Sequence, residues 1–207
     1  CYSDGRMNLC SRRLSIVDPV SGGQPVENED STVFAVWNGE IYNYRSLITE
    51  LKGKGHLFSS DHSDSELIVH LYEEYGIRFV EKLNGMFAIA LWGRNKECLY
   101  LIRDRMGVKP LFYYYNGTEI VFASEIKSIL LHPSYPKKIN ANALYSYFSF
   151  QAVSSPETAF WDIYALRPGT ILTLLLPGKS SHAILPHLFP RFPRTLCQLP
   201  SKRSASC

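Results

Sequence analysis

The chain has 207 residues, 45% of them hydrophobic and 20% charged, an ordinary balance for a soluble globular protein and enough for a substantial core. Its longest aliphatic stretch, around Ile171–Leu172 and Leu174–Leu176, is far too short to span a bilayer, and no basic start followed by an apolar run marks a signal peptide, so no membrane role is expected. The net charge of +3 belongs to the end of the chain: residues 163–207 hold six Lys/Arg and no acid, while residues 1–162 carry 16 basic against 19 acidic residues, which removes the usual basis for nucleic acid as a partner of the folded part.

In chain order, the stretch TVFAVWN (32–38) is β-rich and runs into Asn38-Gly39, a turn signal. A short helix is predicted over Tyr44 to Leu51, stopped by Gly53 and Gly55. Ser63-x-x-Glu66 reads as a capping box opening a second helix, on which Leu67, Leu71 and Tyr75 recur at helical spacing until Gly76. A further short helix over Phe79 to Leu83 precedes the Asn84-Gly85 turn. The runs MFAIALW (86–92), ECLYLIR (97–103), PLFYYY (110–115) and EIVFAS (119–124) then read as strands of one antiparallel meander. Helices around Glu125 to Leu131 and Ala141 to Phe148 and a strand near Thr170 to Leu175 complete the ordered part, an α+β arrangement. From Pro177 the chain has five prolines, no periodicity and no acid, so residues 176–207 are expected to form a Pro-rich basic tail without order.

Several motifs have both a structural and a chemical reading. Asn38-Gly39-Glu40 is either a hairpin turn or a pair of donors, the Asn amide and the Gly N–H, aimed at a developing oxyanion. Arg13 in RRLSIVD is a surface charge or a bidentate clamp for a carboxylate. Asp64 either complements the dipole of the helix that follows or binds an ammonium. Ser21-Gly22-Gly23 precedes Gln24-Pro25 and not a helix, so it reads as a turn and not as a phosphate loop. Arg103-Asp104-Arg105 is either an active-site charge cluster or an ion-pair network fixing a connection between strands. The five cysteines (1, 10, 98, 197 and 207) are odd in number and form no CxxC pair, which argues against a disulfide framework and for a reducing, cytoplasmic compartment. Six scattered histidines show no metal-ligand spacing, so no metal site is expected.

RRLSIVD, SGGQP, WNGEIYNY, HSDSELIVHLYEEYG, LNGMFAIALW, RDRMGVKPLFYY and ASEIKSIL, in this order, resemble the glutaminase domain of glutamine-hydrolysing asparagine synthetases. That is the class II glutamine amidotransferase domain of the N-terminal-nucleophile hydrolases. The resemblance covers about residues 1–175 and implies a four-layer αββα sandwich, two antiparallel sheets between helix layers. By position, Arg13 resembles the clamp for the glutamine α-carboxylate, Asn38 and Gly39 the oxyanion donors, and Glu40 and Asp64 the holders of its ammonium. Ile16 and Val17 would line the same pocket.

The resemblance also sets expectations from departures. Family members open on Cys-Gly-Ile, whereas Cys1 aligns with an interior position, so neither Cys1 nor Cys10 is expected to be the nucleophile, and the sandwich is expected to be incomplete at its N-terminus. Ser11 stands where the family usually has histidine. The implied activity is glutamine hydrolysis, supplying ammonia for the conversion of aspartate to asparagine at an ATP- and magnesium-dependent site in a synthetase domain that this chain lacks. By itself the chain is expected to be inactive and to hold no cofactor. Two other readings are a non-catalytic glutamine-binding or regulatory module on the same fold, and a gene-model fragment.

Overall fold

The computed structural model describes residues 1–12, 23–58 and 65–175, and the main chain of 185–188. Strands β1 (Tyr2–Ser3) and β2 (Asn8–Leu9) form a small hairpin, followed by β3 (Val26–Glu27), β4 (Val33–Ile41), helix α1 (Tyr44–Gly53) and helix α2 (Leu67–Tyr75). A 3-10 turn at Gly76–Lys82 leads into β5 (Gly85–Gly93), β6 (Cys98–Arg103), β7 (Phe112–Tyr115) and β8 (Ile120–Ala123). Helices α3 (Ile126–Leu130) and α4 (Ala141–Phe150) precede β9 (Ile163–Ala165), β10 (Thr170–Leu175) and β11 (Leu185–Leu188).

Three apolar cores separate four layers. The large sheet has the order β11-β10-β6-β5-β4-β3 and the small one β8-β7-β9, with every pairing antiparallel. Alternation along each strand decides which core a side chain enters. On β4 and β5, Ala35, Trp37, Ile41, Phe87, Ile89 and Leu91 pack with Leu47, Ile48 and Leu51 of α1 and Leu67, Ile68 and Leu71 of α2. Their neighbours Phe34, Ala88, Ala90 and Trp92 point the other way, toward Tyr113 of the small sheet and Met7 and Leu9 of the hairpin. The outer face of the small sheet carries Tyr114 and Ile163 against Ile129 of α3. The layers are therefore helices, large sheet, small sheet, helix: the αββα sandwich.

Several expectations need correction. The four central strands do not make one meander. β5 and β6 pair in the large sheet, but β7 and β8 pair in the small one, because the chain crosses between the sheets at residues 104–111. Asn38-Gly39 is not a turn; β4 continues through it to Ile41, with Asn38 opposite Ala88 and Glu40 opposite Met86. α2 begins at Leu67, with Glu66 at its N-cap and no side-chain cap bond, later than the predicted capping box; Ser63 lies outside the described residues. Cys1 and Cys10 are joined by a disulfide, contrary to the reading from their number: pairing of Tyr2 with Leu9 and Ser3 with Asn8 places them opposite each other, with Cα atoms 4.2 Å apart. Of the expected tail, Leu185–Leu188 forms β11 along β10, at a sheet edge where the missing N–H of Pro186 is tolerated, and residues 176–184 and 189–207 lie outside the described residues. Among the described residues, no helix is long and apolar enough to cross a membrane.

Candidate functional site

The motif WNGEIYNY maps onto the end of β4 and the turn after it. Trp37 and Ile41 are buried anchors in the core under α1 and α2. Asn38 and Glu40, one residue out of phase, share the face of Phe34 but are exposed. Past Ile41 the chain is locked: the Asn43 amide donates to the Lys82 carbonyl (2.9 Å) and accepts from the Asn84 N–H (3.0 Å), and the Tyr42 N–H donates to the Asn84 carbonyl (2.8 Å). The strand end is held on both sides of the exposed pair.

Gly39 is the position only glycine can occupy. Its φ is +148°, and a Cβ there would lie 2.0 Å from the Met86 carbonyl oxygen and 2.7 Å from the Phe87 Cα. The close approach follows from the ladder. The N–H and C=O of Phe87 face away from β4: its N–H donates to Asp104 Oδ2 (3.2 Å) and its carbonyl accepts from the Asp104 N–H (2.9 Å). Gly39 and Phe87 are thus a non-hydrogen-bonded pair, the closely spaced kind, and the N–H of Gly39 points off the opposite edge of β4. On that edge β3 pairs only as far as Ala35, and the Gln24 side-chain carbonyl takes the Trp37 N–H (2.9 Å). The next outward N–H is that of Gly39, beside the exposed Asn38 amide. Two donors therefore sit next to each other, and the Gly39 N–H has no partner among the described residues.

Behind them stands Asp104, which makes no salt bridge within 4.0 Å among the described residues. It is buried, and its carboxylate accepts main-chain N–H groups from Phe87, Met106, Val108 and Lys109 at 3.0 to 3.2 Å. Arg103 donates to three carbonyls, those of Lys109 (2.8 Å), Leu166 (2.6 Å) and Gly107 (2.8 Å). Burial pulls its pKa below the ordinary arginine value, which the neighbouring Asp104 carboxylate opposes. Arg105 donates to the carbonyls of Leu83 (2.8 Å) and Glu81 (3.3 Å). The RDR motif thus fastens the crossover between the sheets and, through Phe87, the strand beneath Gly39.

Of the other residues singled out from the sequence, Arg13, Ile16, Val17 and Asp64 lie outside the described residues. Cys1 is held in the disulfide with Cys10 at the β1–β2 hairpin. Cys98, the free cysteine among the described residues, is buried in β6, and burial pushes its thiol pKa up, the opposite of nucleophile activation. Sequence reading missed Gln24, Asn43 and the main-chain role of Asp104, all of which act through tertiary contacts. It also missed a cluster of Glu29, His56 and His70, whose ligand atoms lie within 4.8 Å of one another although the residues are far apart in the chain. A surface cleft lined by Asp4, Arg6, Trp92 and Glu97 lies toward the other end of β5, away from Asn38, and adds nothing to this site.

The glutamine amidotransferase domain family matches residues 1–183. Asparagine synthetase (glutamine-hydrolysing) 2 of Bacillus subtilis strain 168 is 50% identical over 139 residues, 67% of this chain and 18% of that protein. Asparagine synthetase (glutamine-hydrolysing) 1 of the same organism is 40% identical over 177 residues, 86% of this chain and 28% of that protein. The chain therefore spans well under a third of the length of these relatives. A solved structure of the allosteric regulatory enzyme of purine biosynthesis resembles it with a TM-score of 0.50 at 19% identity, over 75% of this chain and 30% of that one, a likeness of fold. On the match that takes in most of its length, this chain belongs to the glutamine amidotransferase domain family.

Proposed function

We propose that this chain is the glutamine-hydrolysing part of an asparagine synthetase. L-glutamine is held by Arg13 at its α-carboxylate and by Glu40 and Asp64 at its ammonium, with Ile16 and Val17 against its methylenes. A thiolate attacks the side-chain amide carbon, and the oxyanion that forms takes hydrogen bonds from the Asn38 amide and the Gly39 N–H. Collapse expels ammonia, and water hydrolyses the glutamyl thioester. Ammonia then passes to a site elsewhere in the parent protein, where ATP and magnesium drive amidation of aspartate. We do not assign the thiolate to Cys1, whose Sγ is bonded to Cys10.

The observation that carries this reading is the Gly39 N–H directed to the outward edge of β4 beside Asn38, without a partner among the described residues. A hairpin turn would need no such strand geometry. The test is calorimetric titration of the full chain with glutamine and with glutaramate, which lacks the α-amine. Glu40→Gln should weaken glutamine by about 10-fold or more, the worth of a charge-assisted hydrogen bond, and leave glutaramate nearly unchanged. Equal loss for both ligands would remove Glu40 from the ammonium site. In an ammonia-release assay Cys1→Ala should change nothing; ammonia release lost on that substitution would make Cys1 the nucleophile after all.

A further inference from the structure

Two histidines converge on the outer side of α2. His70 is 2% exposed, and its Nδ1 is buried without a hydrogen-bond partner. That nitrogen faces two carboxylates, Glu73 Oε2 at 3.4 Å and Glu29 Oε1 at 3.6 Å. The His56 ring stands edge-on to it, with centroids 5.3 Å apart and Nδ1 3.9 Å from the same Glu73 oxygen. This nitrogen thus has two carboxylate oxygens near it but no hydrogen bond, and leaving a buried polar atom unpaired costs about 1–3 kcal/mol. A cation bound among these four groups would give it a partner.

The surroundings hold the donors in place. The second oxygen of Glu73 accepts from the buried Asn28 amide (2.6 Å), which leaves Oε2 turned to the histidines. His56 Nε2 lies 3.4 Å from Glu74 Oε2, and Glu74 is in turn paired with Lys54. A proton on Nε2 shared with that carboxylate leaves the His56 Nδ1 lone pair free for the site, the carboxylate–histidine arrangement that commonly orients metal ligands. The Phe58 ring packs 4.5 Å from that of His70 and covers it.

We propose that Glu29, His56, His70 and Glu73 form a binding site for a divalent transition-metal ion of the zinc type. Two imidazoles and two carboxylates are the donor set such an ion takes, and a tetrahedron with bonds of about 2.0–2.1 Å has edges of roughly 3.3 Å. The His70–Glu73, His70–Glu29 and His56–Glu73 spacings are 3.4, 3.6 and 3.9 Å, and the ligand atoms of Glu29, His56 and His70 lie within 4.8 Å of one another, so side-chain movements of up to about 1.5 Å close the site. Occupied, it ties the loop before β4, the segment after α1 and helix α2 into one unit. No linear motif announces it, since its ligands come from three separate segments.

The test is titration of the metal-free full chain with Zn²⁺ by calorimetry and with Co²⁺ by absorption. We expect one saturable site per chain, the ligand-field bands of four-coordinate cobalt, and a Tm raised by several degrees. Affinity should fall by at least about tenfold in His56→Gln, His70→Gln and Glu29→Gln, and stay unchanged in His132→Gln, whose histidine sits elsewhere beside Glu119. Glu29 has a half-exposed side chain, so Glu29→Gln reads binding without disturbing the core. Absence of saturable binding, or full affinity in Glu29→Gln and His56→Gln, overturns the proposal.

Discussion

Replacing Asp104 with alanine isolates what the buried carboxylate does for the site. Four main-chain N–H groups lose their acceptor at once. Met106 and Val108 are exposed residues, at 80% and 57%, and their N–H groups can turn to water. Phe87 is fully buried in the ladder, and Lys109 is half-buried at the crossover, so these two donors remain unsatisfied. At about 1–3 kcal/mol each, less what is regained by no longer desolvating a carboxylate, the loss should be about 2–4 kcal/mol. With a urea dependence of about 2 kcal/mol per molar, the unfolding midpoint followed by circular dichroism should drop by about 1–2 M. Asp104→Asn keeps one acceptor but aims an amide N–H₂ at two donors, so at least half of that drop should persist. A midpoint within about 0.3 M of the parent for either variant would refute the reasoning, since the carboxylate would then not be satisfying the buried donors.

Two further outcomes can be checked on the same protein. Burial acts to raise the pKa of Asp4, but hydrogen bonds from the Met7 and Arg6 N–H groups, the Tyr2 hydroxyl and the Trp92 indole outweigh it and hold the pKa at about 2, below the ordinary 3.8. A depressed carboxylate stabilises the fold above pH 3.8 and loses that contribution as pH falls toward 2, so the stability gap between parent and Asp4→Asn, about 1 kcal/mol after allowance for its partial exposure, should be full at pH 6 and shrink toward pH 2; a gap independent of pH would contradict it. Gly85→Ala should cost about 2 kcal/mol or more, because its Cβ would lie 2.2 Å from the Glu40 carbonyl oxygen and 3.0 Å from the Ile41 Cα, whereas Gly23→Ala, with nothing within 4 Å, should stay within about 0.5 kcal/mol in the same thermal unfolding experiment.

Periodicity and local chemistry made much of the fold legible before the structure. The spacing of Leu67, Leu71 and Tyr75 marks α2, the helix read around Ala141 to Phe148 lies within α4, and Thr170 to Leu175 reads as the strand it is. What local signals could not give was partner choice. PLFYYY and EIVFAS have the texture of MFAIALW and ECLYLIR, yet a carboxylate at Asp104 and a guanidinium at Arg103 bend the chain from one sheet to the other between them. Asn38-Gly39 misleads for a related reason: the dipeptide favours a tight turn, but pairing of Trp37 with Ile89 and Ile41 with Gly85 holds it extended. At the candidate site, WNGEIYNY allowed a turn or a pair of oxyanion donors, and the direction of the Gly39 N–H follows only from the register of β4 with β5 and from β3 pairing no further than Ala35.

The division of labour along β4 constrains how this protein can change. Trp37 and Ile41 belong to the core beneath the helices, and Asn38 and Glu40 lie between and beside them, so this end of the strand cannot be shifted by one residue without turning both anchors out of the core and both polar side chains into it. A shift by two would carry Asn38 into the place of Glu40 and put a side chain where only Gly39 fits. The strand therefore works as a fixed ruler, with the two donors at one graduation.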